Sequence, residues 1–120
     1  MDELLQDVLY PVMLGANTAC HAAVRQLQKR FGTDCVVLTG KRALTLRFMP
    51  GVRLIDAPAT LTDDLLLRIL ADLETDIRYA VPLLILCDNA YEAFWQRNRS
   101  VLETHYVLRR VTDIQGGRRG

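Results

Sequence analysis

Two short polar segments in this chain have residue types and placement that could do chemistry. Gly15-Ala16-Asn17-Thr18 follows the apolar run 10–14, and Asp88-Asn89 follows the apolar run 82–87. Both precede helical patterns. A helix start leaves backbone N–H groups without intrahelical partners and carries the positive end of the helix dipole, so each segment can receive an anion or a polar ligand group. Asp88 adds a carboxylate that can meet an amine or another hydrogen-bond donor. A plainer role competes at the same positions. Asn17, Thr18 and Asp88 are all residue types that cap helices, their side-chain oxygens accepting from a first-turn N–H.

Several familiar chemistries do not fit these segments. A dinucleotide turn needs further glycines after the first so that the backbone can approach a pyrophosphate, and here positions 17 and 19–21 are Asn, Ala, Cys and His. The second apolar run ends at Thr39, with no acidic residue for a ribose hydroxyl; Lys41 and Arg42 could meet a 2′-phosphate. A phosphate-accepting receiver site would need acidic residues after the first strand, and the first loop supplies none. His21 and His105 lie far apart in sequence, and Cys20, Cys35 and Cys87 lack the paired spacing of a metal site. Tyr91, Phe94 and Trp95 fall on one helix face with Leu102, which suits core packing better than a stacking platform. Ser100 has no nucleophile motif around it. No complete catalytic constellation is present.

The elements that must position the two polar segments follow from hydrophobic periodicity. Residues 10–14, 35–38, 52–55, 82–87 and 106–111 read as strands, the first, second and fourth apolar enough to be buried on both faces. Cys20, Ala23, Val24, Leu27 and Phe31 repeat at helical spacing, ended by Gly32 as a left-handed stop. Leu66, Ile69, Leu70, Leu73 and Ile77 mark a second helix, capped by Thr60 or Thr62, with Asp63 and Asp64 in its first turn. A third helix is expected from about 90 to about 103. Residues 2–9 are an amphipathic lead-in, residues 43–50 are ambiguous, and Pro50-Gly51 is a turn. The order predicts an α/β fold: an open, mainly parallel sheet, strand order 3-2-1-4-5, with helices on both faces. In such sheets ligands bind beyond the carboxyl ends of the strands where the chain switches sides, which here lies between strands one and four. The two polar segments meet there.

Bulk composition sets the outer limits. The 120 residues suffice for one domain, and 50% of them are hydrophobic, enough for a core without metals or disulfides. Fifteen Lys and Arg against fourteen Asp and Glu give a net charge of +1, without the basic excess of a nucleic-acid platform. The longest pure apolar stretch, 81–87, is too short to span a bilayer. The acidic start at Asp2 and Glu3 is unlike a signal peptide, and three unpaired cysteines suit a reducing, cytoplasmic setting.

The stretches PVMLGANTACHAAVRQLQKRFG, CVVLTGK, LTDDLLLRILADL and LLILCDNAYEAFWQRNRSVLETHYVL together resemble the N-terminal domain of ATP-grasp carboxylate–amine ligases. The likeness is to the group of the carbamoyl-phosphate synthase large chain and D-aspartate ligase, and it covers roughly residues 10–111. It implies a Rossmann-like pre-ATP-grasp domain whose strand-end loops help shape the pocket for an amine or amino-acid acceptor. On this chain those positions are Gly15, Asn17, Thr18, Asp88 and Asn89. The family often has an aspartate where this chain has Asn17, and a glycine where Cys87 precedes Asp88. The resemblance implies that ATP and Mg are held by downstream ATP-grasp domains, so that no cofactor belongs to this chain and the 120 residues are inactive alone. Residues 1–9 are then a lead-in, 10–111 the domain, and 112–120 a flexible tail or the start of a linker. Two other readings stay open: a non-enzymatic protein-interaction module, and a small NADP- or nucleotide-binding Rossmann-like protein.

Overall fold

The computed structural model describes residues 9–40, 46, 49–75 and 80–116. Five strands form one sheet: β1 (Leu9–Leu14), β2 (Cys35–Thr39), β3 (Val52–Asp56), β4 (Val81–Leu86) and β5 (Val107–Arg110). Their order is β3-β2-β1-β4-β5, and every neighbouring pair is parallel. Helix α1 (Thr18–Phe31) follows β1, and α2 (Asp63–Thr75) follows β3. After β4 come a 3-10 turn (Asn89–Tyr91), α3 (Glu92–Arg97) and α4 (Arg99–His105), and α5 (Val111–Gly116) follows β5. The fold is α/β with the expected strand order.

The alternation of side chains along each strand sorts the core into two layers. Val12, Leu14, Val36, Leu38, Leu84 and Leu86 face one side, where Leu66, Leu70 and Leu73 of α2 cover them together with Tyr91, Phe94, Trp95 and Leu102. Met13, Cys35, Val37, Leu83 and Ile85 face the other, under Cys20, Ala23, Val24 and Leu27 of α1 and Val111 of α5. Helices therefore pack on both faces. The strands at the centre of the sheet are continuous apolar runs because no side of them meets water.

The helix ends follow local chemistry. Gly32 closes α1 at φ 64°, its N–H donating to Gln28 O, and Thr62 caps α2 by accepting from Leu65 N. The single helix expected at 90–103 is in fact three pieces. Asn98 breaks it: its side-chain amide donates to Phe94 O at 3.0 Å and to Asp63 Oδ2 at 2.9 Å, and its backbone N–H also donates to Phe94 O. A polar side chain that competes for the helix's own carbonyl ends one segment and starts another. The fifth strand is shorter than the expected 106–111. Residues 111–116, placed by the sequence in a tail or linker from 112 onward, form α5, which packs its start against α1. The lead-in up to residue 8, Lys41, Arg42, Ile77 and the last four residues of the tail lie outside the described residues. Among the described residues no helix is long and apolar enough to cross a membrane.

Candidate functional site

The carboxyl ends of β1 and β4 are stitched together just beyond the sheet. Leu14 O accepts from both Cys87 N at 3.0 Å and Asp88 N at 3.1 Å, and Gly15 N donates back to Leu38 O of β2 at 2.8 Å. Gly15 has φ 101°, a conformation open to glycine and strained for other residues. It is buried directly against Asp88: a Cβ added at Gly15 would come within 2.2 Å of Asp88 Cβ. The glycine of the first turn is thus needed for the approach of the β4 loop.

Asn17 joins the two loops a second time. Its Oδ1 accepts from Cys20 N at 2.8 Å, which makes it the cap of α1, and its Nδ2 donates to Cys87 O at 3.0 Å, 70 residues away. The Cys87 thiol donates to Ile85 O at 3.9 Å, and the neighbouring Cys20 thiol, with burial, holds it far above its ordinary pKa. Burial likewise pushes Cys35 up to about 12. All three cysteines are free and buried, placed as inert packing groups. Asp88 is half-buried and caps the 3-10 turn, its Oδ1 accepting from Ala90 N at 3.0 Å. Thr18 and Asn89 are exposed on this same edge.

All five residues singled out in the sequence therefore lie at the carboxyl edge, but with different jobs. Gly15 and Asn17 are occupied in joining loop to loop, and Asp88 is in part a cap. Thr18 and Asn89 face solvent. The amide of Asn17 has one function committed to each loop, so this residue positions the edge instead of presenting itself to a ligand.

Two residues missing from that set belong to the same edge. Asp56 ends β3 and is exposed. Tyr91 is buried, its hydroxyl donating to Ala57 O at 2.7 Å. Burial, then the charge of Asp88, then that of Asp56, push its pKa up to about 12. The phenol thus sits within the field of both carboxylates. Parallel pairing puts every strand's last residue on one edge, so the position of Asp56 at the end of the third apolar run was an available signal. Tyr91 gave none, because its aromatic type reads as core.

Elsewhere, His105 Nδ1 lies 3.0 Å from Glu74 Oε1, a contact that spacing alone did not reveal. Among the described residues no group of three or more His, Cys, Asp or Glu could hold a metal ion. No family model, no curated protein and no solved structure matches the chain.

Proposed function

We propose that this domain is the substrate-side N-terminal domain of an ATP-dependent carboxylate–amine ligase, with the loops after β1 and β4 forming one wall of the pocket for a cationic amine or amino-acid acceptor. The observation that carries this reading is the pair of carboxylates at the carboxyl ends of the sheet, Asp88 after β4, half-buried against Gly15, and Asp56 at the end of β3. They lie on the edge where doubly wound sheets bind ligands. A half-buried carboxylate in a fixed geometry favours an ammonium group over a neutral one, since the protein dielectric screens the attraction less than water does. The resemblance of the four sequence stretches to ATP-grasp ligases adds the reaction class. In this reading ATP and Mg belong to downstream domains, which activate the carboxylate as an acyl phosphate; this domain holds the amine that attacks it.

The test is an NMR titration of the chain with a panel of amines and amino acids, beside ATP with Mg. Acceptor binding should move the amides of residues 15–18 and 88–91, and ATP should leave them unmoved. Asp88→Asn should weaken the amine while sparing the fold. If no amine or amino acid perturbs this edge at millimolar concentration, the assignment of an acceptor pocket fails.

A further inference from the structure

At the edge of the sheet opposite Asn17 and Asp88, where the strands begin, a cavity of about 340 Å³ opens between α1, α5 and the amino ends of β1, β4 and β5. Its floor is apolar, built from Leu9, Leu27, Phe31, Leu83 and Ile114. Val81 and Val107 also line it, and each is 38% exposed. Exposed apolar side chains that adjoin an apolar hollow form one continuous patch, the kind of surface that marks a binding site.

Two guanidiniums share this lining, Arg30 and Arg109. Neither has a carboxylate partner among the described residues. Arg30 lies over the Phe31 ring, 5.5 Å from its centroid, and Arg109 Nη1 donates to the neighbouring Leu108 O. Arg97 and Arg110, by contrast, are each forked onto a carboxylate. The acidic residue lining the cavity, Asp113, accepts through Oδ2 from Arg110 N. Among the described residues, two guanidiniums against one carboxylate leave the lining with a single excess positive charge beside an apolar floor.

We propose that this cavity binds a medium-chain monocarboxylate, its tail against Leu27, Phe31 and Leu83 and its carboxylate between Arg30 and Arg109. The guanidinium fork matches a carboxylate in shape, and the single excess charge matches a monoanion. The volume lies near the lower end of small-molecule sites, about 300–1,000 Å³, which suits an acid of medium chain length over a long-chain one.

The experiment is an NMR titration of the chain with octanoate, below its micelle concentration, and with octanamide as the uncharged isostere. Octanoate should shift the amides of Leu27, Phe31, Val81 and Val107 saturably and leave those of Asn17 and Asp88 in place. Octanamide should bind about tenfold more weakly, the worth of a charge-assisted contact. The double variant Arg30→Gln, Arg109→Gln, at two exposed positions, should bring octanoate to the octanamide level. Equal affinity for the two ligands, shifts at the opposite edge, or no saturable shift would each overturn the proposal.

Discussion

The space that a side chain at position 15 would need is already taken by Asp88. A Cβ on Gly15 would lie 2.2 Å from Asp88 Cβ and 3.1 Å from Asp88 N, and the backbone there has φ 101°. Gly15→Ala should therefore destabilise by roughly 2–4 kcal/mol, from left-handed strain and overpacking together. Asp88→Gly in the same chain removes one of the clashing atoms, so the double variant should lose less than the sum of the two singles. Urea unfolding of all four chains measures this, and strict additivity would reject the contact.

Asn17 combines a cap and a clasp, and two substitutions separate them. Asn17→Ser keeps an oxygen able to cap α1 but removes the donor to Cys87 O; the expected cost is about 0.5–1.5 kcal/mol. Asn17→Ala removes both, adding about 1 kcal/mol for the lost cap. Denaturant midpoints should order wild type above Ser above Ala. Equal stability of Ser and wild type would mean that the bond to Cys87 contributes nothing.

Trp95 is 3% exposed and lies in one core layer with Tyr91, Phe94 and Leu102. Trp95→Ala should cost roughly 3–5 kcal/mol, a large part of a small domain's stability. An unchanged melting temperature would place the indole outside the core.

The Arg110 fork holds Glu92 down at about 2 from 4.5, with help from Gln96. A carboxyl with a depressed folded pKa adds stability that is complete above its unfolded pKa of 4.5 and is lost as pH falls through about 2. Both groups are open to solvent, so the effect is small and falls with salt. The gap in urea midpoint between wild type and Arg110→Gln should be constant above pH 4.5 and close as pH approaches 2. A gap that persists unchanged at the acid end would exclude this pair as its source.

Periodicity carried most of the fold. Apolar runs of four to six residues alternating with helical spacing gave five strands, their parallel pairing and the order 3-2-1-4-5, because burial on both faces of a central strand leaves a pattern within each segment. Gly32 and Thr62 were legible for the same reason: a cap is made with residues three or four positions away. The edge where Gly15, Asn17, Thr18, Asp88 and Asn89 gather followed from topology, since parallel strands put all their carboxyl ends together. The division of labour among them could not be read that way. Gly15 is spared a side chain by Asp88, the Asn17 amide reaches Cys87 across 70 residues, and the Tyr91 hydroxyl finds Ala57 O. The break at Asn98 answers to Asp63, and His105 meets Glu74. Each of these depends on two distant segments arriving at one point, and their separation in the chain leaves no mark on local spacing. Sequence alone determined the five strands, the first two helices and the order in which they lie; the division of the third helix, the helix at 111–116 and the polar groups brought within bonding distance were decided by packing the two helical layers onto one sheet.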